Sequence, residues 1–284
     1  NYKKNNMKKL FDELSTDVSK KTTRKYSTSF SLGILALKPS IRNAIYAIYG
    51  YVRLADEIVD SFHGYDKKTL LERLKKETET ALQEGISLNP ILHSFQDSVK
   101  KYTIDESLIW HFLHSMDMDL EPLQYTSKEY ERYINGAADG VGLMCLQVFT
   151  EGRKHQYEEL KPYAQKLGSA FQKVNFLRDL KDDYHVLGRT YFPNIELSIF
   201  DGQTKDEIEK EIACEFKEAL SGIRRLPSSS RFGVYLAYKY YLELFKKIKN
   251  KTPEKIMEER IRIPNYHKLS LTLKSYIRYK TTML

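Results

Sequence analysis

Two pairs of aspartates stand four residues apart: Asp56 and Asp60 in DEIVD, and Asp179 and Asp183 in DLKDD. On a helix this spacing puts both carboxylates on one face, about 40° apart in projection. Side by side they repel unless a cation lies between them. Arg53 stands one turn before Asp56, and Arg178 immediately precedes Asp179. Carboxylates with arginine suggest a hard divalent cation carrying a phosphorylated ligand. Mg²⁺ prefers one or two carboxylates, its own waters and phosphate oxygens to a full protein cage.

The flanks of each pair continue the same face. Tyr46, Tyr49, Arg53, Asp56 and Asp60 form one stripe that begins aromatic, becomes cationic and ends anionic. An exposed salt-bridged face accounts for the charges but not for the tyrosines. A cavity with an apolar depth and a charged mouth accounts for both. Gln172, Asn175, Asp179 and Asp183 make a second stripe, with Phe171, Val174 and Leu177 on an adjoining packing face. Such a polar stripe is costly to bury without a ligand. Facing each other, the two stripes gather at least four carboxylates, with Glu57 and Asp182 nearby; deprotonated, they require metal.

Residues 133–144 (YINGAADGVGLM) form a helix thinned by Gly136, Ala137 and Gly140. Glycine is unfavourable inside a helix, so this side serves either close helix packing or a bulky ligand against the backbone. His111 and His114 lack a carboxylate-rich metal spacing. No P-loop, dinucleotide fingerprint or Ser-His-Asp signature is present.

The elements that must position these groups are helices. Helical periodicity recurs and no alternating pattern is sustained, which predicts an all-α chain. Helices are expected at 7–25, 39–60, 66–85, 90–102, 105–119, 127–152, 157–187, 205–224, 233–249 and 267–281, with a further segment from Thr252 to Pro264. Tyr26–Ser31 (YSTSFS) reads as a turn, and 188–204 as an irregular lid or surface loop. No linker divides the chain, so residues 1–284 are expected to form one domain, with 1–25 as an extension and basic helix. Met7 could be a natural start.

The 284 residues suffice for a sizeable core. Charged residues make up 30% and apolar residues 41%, as in soluble globular proteins. The net charge is +8, and the pI is near 9.1. The basic residues are scattered among acids, so the excess fits an anionic substrate or a membrane surface as well as nucleic acid. Cys145 and Cys214 define neither a disulfide framework nor a zinc site, which fits a reducing compartment. The apolar stretch Ala44–Val52 is too short to span a bilayer, and no secretory leader is apparent.

These residues match a known pattern. The chain resembles the squalene/phytoene synthases, the head-to-head prenyl transferases. YAIYGYVRLADEIVD (46–60) is similar to the family's tyrosine-arginine-aspartate helix, and LGSAFQKVNFLRDLKDDYHVLGRTYFP (167–193) to its second signature. YINGAADGVGLM resembles its small-residue helix, MDMDL (116–120) the stretch just upstream, and YSTSFS an N-terminal serine-rich segment. The resemblance implies an all-α isoprenoid-synthase bundle with a central active-site cavity. It implies Asp56, Asp60, Asp179 and Asp183 as ligands, direct or through water, of a Mg²⁺ cluster (Mn²⁺ being an alternative) that holds diphosphate. Arg53 and Arg178 would bind diphosphate with Ser27 and Ser29. Tyr49, Tyr133, Gln172, Asn175 and Tyr191 would line the chamber.

Two departures stand out: Glu57 replaces a frequent second Asp, and Asp139-Gly140 a common Gly-Thr pair. The expected reaction joins two C20 prenyl diphosphates into phytoene through a cyclopropyl intermediate. The alternative is a C30 product from farnesyl diphosphate, with NADPH needed only for squalene. Released diphosphate or Tyr191 would take the final proton, and Ile34 and Tyr46 would gate tail depth. The expected partners are prenyl diphosphates and not nucleic acid. The expected location is the cytoplasm, with the basic N-terminal helix leaving contact with the inner membrane face open. A basic helical scaffold for RNA or anionic membrane is the non-enzymatic alternative.

Overall fold

The computed structural model describes the backbone of residues 2–120, 126–185, 192 and 200–281, and the side chains of these except 2–6, 182–185 and 265. Among the described residues every regular element is helical. In order they are α1 (Tyr2–Tyr26), α2 (Thr28–Leu35), α3 (Pro39–Asp60), α4 (Lys67–Glu84), α5 (Pro90–Tyr102), α6 (Glu106–Met118), α7 (Ser127–Ile134), a π-helical segment η1 (Asn135–Gly140), α8 (Val141–Phe149), α9 (Lys154–His185), α10 (Gly202–Arg225), α11 (Arg231–Lys249), α12 (Pro253–Glu258) and α13 (Asn265–Thr281).

Helix limits follow local chemistry. Pro39 occupies the first turn of α3, where its missing N–H costs nothing. Asp66 caps α4 by accepting from the Thr69 N–H at 3.0 Å. Gly85 ends α4 at φ 71°, a left-handed position suited to glycine. Asn89 and Asp105 cap α5 and α6, and Thr126 with Glu129 forms a capping box at α7.

The chain departs from the expected pattern in three places. Tyr26–Ser31 is no open turn: α1 runs into it, and Ser27 starts α2 by accepting from the Phe30 N–H at 3.1 Å. Serine disfavours helix interiors because its hydroxyl competes for backbone groups, and the same property makes it a cap. The expected helix over 127–152 is three pieces, with a π segment in the middle and an end at Phe149. The end of the expected loop, 188–204, is pre-empted by α10 from Gly202; residues 188–191 and 193–199 lie outside the described set.

One large apolar cluster joins α3, α5, α6, α8, α9, α10 and α11. Tyr51 stacks on Phe95 with ring centroids 3.9 Å apart, and its hydroxyl meets Thr78 at 3.0 Å. The small residues of η1 permit close packing: a Cβ on Gly136 would lie 2.5 Å from the His111 carbonyl oxygen of α6. A Cβ on Gly168 of α9 would lie 2.8 Å from the Ala138 carbonyl oxygen. Close packing is therefore one use of this segment, and Ala137, Ala138 and Gly142 also border the central cavity.

Candidate active site

A cavity of about 730 Å³ lies between α2, α3, η1, α8, α9, α10 and α11. Helices α3 and α9 build its polarity in parallel. Along α3 the lining passes from Ile45 and Ile48 through Tyr49 and Val52 to Arg53, Asp56 and Asp60. Along α9 it passes from Leu160 and Leu167 through Phe171 to Gln172, Asn175, Arg178 and Asp179. Each helix thus carries its apolar residues toward one end of the cavity and its charges toward the other. The apolar end is closed by residues such as Ile34, Leu37, Phe149 and Leu226.

The charged end holds Asp56, Asp60, Asp119 and Asp179 with Arg53, Arg178 and Arg260. Arg53 pairs with Glu57 and lies 3.8 Å from Asp56, and its guanidinium stacks 4.4 Å over the Tyr26 ring. Arg178 Nε donates to Asp179 Oδ1 at 3.0 Å, and Arg260 Nε approaches the same oxygen at 2.8 Å. Tyr133 donates its hydroxyl proton to Asp119 Oδ2 at 2.9 Å, and Tyr241 donates to Asn175 Oδ1 at 3.2 Å.

The electrostatics leave room for ions of both signs. Burial, and then the neighbouring Asp60 carboxylate, push the Asp56 carboxyl up to about 7; Asp119 and Glu57 add to this and Arg53 opposes it. The side chain keeps 31% of its surface, and it borders the cavity. A cation there would relieve the repulsion. Arg53 Nε is buried without a hydrogen-bond acceptor, and a ligand oxygen would supply one. Among the described residues no three acidic, His or Cys side chains alone enclose a metal. Burial raises the Tyr49 hydroxyl to about 12, so it stays neutral.

Of the residues singled out by sequence, Ser27, Tyr49, Arg53, Asp56, Asp60, Tyr133, Gln172, Asn175, Arg178 and Asp179 all border this cavity. Ser29 is half-buried and does not border it. Ile34 borders it, but Tyr46 does not; Tyr46 is buried with its hydroxyl unpartnered. Asp183 belongs to α9, but its side chain lies outside the described set, as does Tyr191. Asp119, Tyr241 and Arg260 were not anticipated. Asp119 follows the last turn of α6, whereas Tyr241 and Arg260 arrive from distant parts of the sequence and have no local spacing to mark them.

This bundle and its polarised cavity define a class. The squalene/phytoene synthase model matches residues 23–267. The chain belongs to the squalene/phytoene synthase family. It is 30% identical over 242 residues to phytoene synthase 1 of Solanum lycopersicum, covering 78% of this chain and 58% of that one. It is 31% identical over 238 residues to phytoene synthase 2 of Oryza sativa, covering 77% and 59%. The chain thus spans somewhat under two thirds of the length of these curated relatives. A crystal structure of a dehydrosqualene synthase with ligand superposes with a TM-score of 0.79 at 20% identity, covering 95% of this chain and 98% of that one. The squalene synthase of Alicyclobacillus acidocaldarius gives 0.67 at 21% identity, covering 84% and 95%. These superpositions establish the isoprenoid-synthase fold.

Proposed function

We propose that the chain condenses two geranylgeranyl diphosphates head to head into phytoene, releasing two diphosphates and two protons. The observation that carries this reading is the single cavity with carboxylates and arginines at one end and an apolar depth at the other. The phytoene synthases among its relatives favour the C20 substrate.

Asp56, Asp60, Asp179 and Asp183 would hold Mg²⁺ or Mn²⁺ on their oxygens, Asp119 being a further oxygen donor at that end. The metal, when bound, neutralises the charge that builds up on a departing diphosphate. Arg53, Arg178 and Arg260 grip the diphosphate oxygens through charge-assisted hydrogen bonds, helped by Ser27. Departure leaves an allylic cation, which the double bond of the second substrate attacks; loss of a first proton from the resulting cation closes the ring of the cyclopropyl diphosphate. A second departure and rearrangement follow, and a second proton leaves to released diphosphate or to Tyr191. Tyr49 and Phe171 present ring faces to the cation, and the apolar depth keeps water from quenching it. Gln172 and Asn175 orient the diphosphate end.

A C30 product from farnesyl diphosphate is the second reading, favoured by the fold shared with dehydrosqualene and squalene synthases. Mass spectrometry of products from farnesyl and geranylgeranyl diphosphate, each with Mg²⁺ and with or without NADPH, separates the two. A C40 hydrocarbon from the C20 substrate alone is expected. A C30 hydrocarbon instead would replace it with dehydrosqualene or, if NADPH is needed, squalene. Absence of any hydrocarbon from folded protein would remove both.

A further inference from the structure

Helix α9 runs the length of the cavity. Its lining residues recur at three- and four-residue steps from Leu160 and Tyr163 at the apolar end to Asn175 and Asp179 at the charged end. Tyr163 stands sixteen positions before Asp179, which is roughly 24 Å of helix axis. That length is of the order of an extended C20 prenyl diphosphate and exceeds an extended C15 one. The residue at the far end of this run therefore meets the end of a tail whose diphosphate lies among the aspartates.

Tyr163 is half-buried and reaches from the cavity to partners in solvent. Its hydroxyl accepts from Arg225 Nη1 at 3.2 Å, and the Arg225 guanidinium lies 5.3 Å from the ring centroid. The Arg225 side chain keeps 43% of its surface and pairs with Glu159, one turn before Tyr163, which keeps 39%. The Arg225 carbonyl in turn accepts from Gln156 Nε2 at 3.3 Å. Leu160, Ile223 and Leu226 share this end of the cavity and are buried. The α10 backbone is shaped to the ring. A Cβ on Gly222 would overlap the Tyr163 Cβ and lie 2.7 Å from its Cγ, so the tyrosine sits directly on α10 and cannot sink further toward it.

We infer that Tyr163 is a specificity-determining residue, the stop against which the end of a prenyl tail rests, and that Arg225 is the positioning residue that holds its ring. The inference rests on the proposed reaction and deepens it, because it names the wall that sets tail length. Sequence placed that role on Tyr46 and Ile34, but Tyr46 does not border the cavity and Ile34 reaches it from α2. A tail one prenyl unit too long meets the Tyr163 ring and, behind it, the exposed Arg225–Glu159 pair. It must fold back or leave apolar surface in water, and either forfeits the gain from burying that unit. A mere clip between α9 and α10 would use the same contacts, but its loss would leave the preference among tail lengths unchanged.

The test is isothermal titration of the full chain with Mg²⁺ and the unreactive S-thiolodiphosphates of farnesol (C15), geranylgeraniol (C20) and geranylfarnesol (C25). The parent should bind the C20 probe most tightly. Tyr163→Ala should raise the C25 affinity relative to C20 by at least about tenfold. Tyr163→Phe, which keeps the ring, should retain the parental ratio, and Arg225→Met should move it in the same direction as Tyr163→Ala but by less. Tyr163→Leu, which keeps a side chain over Gly222, reads the same shift if the alanine variant fails to fold. An unchanged ratio in a folded Tyr163→Ala or Tyr163→Leu variant overturns the inference, and so does a full shift in Tyr163→Phe. A parental ratio in Arg225→Met removes its positioning role. Titration is read without turnover: a parent that binds no probe overturns the reaction and the inference together, whereas a parent that binds while its variants keep the parental ratio overturns the inference alone.

Discussion

Helix α9 has surplus negative charge on two sides, and the two sides settle it differently. On the cavity side Asp179 joins Asp56, Asp60 and Asp119. On the other side Ser169 and Lys173 meet Glu215 at 2.9 and 2.7 Å, and Lys173 also pairs with Glu211. Nearby, Gln165 donates to Asp139 Oδ2 at 3.4 Å while Oδ1 is buried without a partner. In each cluster burial lifts one aspartate, Asp56 or Asp139, to about 7. The outer cluster is packed among side chains, where Lys173 and Lys166 oppose the rise of the Asp139 carboxyl and the central cavity does not adjoin it. The inner cluster borders empty space, where a cation can balance it. Similar local electrostatics are therefore closed off by packing on one face of a helix and left open to a cavity on the other, and under the proposed function the open side is the one that takes the ligand.

Substitutions can break this contrast. The largest expected effect is on the inner side: Asp179→Ala should lower turnover about a thousandfold while the melting temperature stays near that of the parent. Mass-spectrometric rates with parallel thermal melts check both halves, and a collapsed melting temperature would contradict the division of labour. On the outer side the sign reverses. Lys173→Met leaves Glu215 buried beside no cation, and denaturant titration should show a loss of about 3–5 kcal/mol. Turnover per folded molecule should persist.

The outer proton gives a subtler signature. The folded Asp139 carboxyl is raised above its unfolded value, so the native state binds the extra proton. Its stabilising share is full at low pH and is lost as pH rises from 3.8 toward about 7. Asp139→Asn should flatten that slope, its melting-temperature gain being larger at pH 8 than at pH 5. Parallel slopes for variant and parent would assign the outer surplus to another group. The smallest effect belongs to Tyr133→Phe, which deprives Asp119 of its hydroxyl donor. About 1 kcal/mol of stability should go, with turnover reduced by roughly tenfold.

Much of the inner side was legible because each half lies on a single helix. Spacing alone put Gln172, Asn175 and Asp179 together, and Tyr49, Arg53 and Asp56 likewise. Asp119, Tyr241 and Arg260 were not legible, because α6, α11 and the segment after α12 reach the site only through tertiary packing. The outer cluster escaped for a related reason: nothing local marks Lys173 and Glu215 as buried partners when they sit on α9 and α10. The Asp139-Gly140 departure was visible as a pair of residues, but its burial was not. Ser27 was misplaced in a turn because the same hydroxyl chemistry serves turns and helix caps.

The π segment η1 also sets rotational phase. Nine residues separate Tyr133 from Gly142, and at 100° per residue an uninterrupted α-helix would aim them to opposite sides. Both nevertheless border the cavity. A π turn advances each residue by roughly 80°, so the six residues of η1 fall behind by roughly one α-helical step. The segment therefore holds one residue more than a regular helix would need to present the same wall. Deleting a single residue within 135–140 would let the backbone return to α-helical winding while Tyr133 and the Val141–Phe149 face stay aimed inward. At this one position the wall is indifferent to chain length.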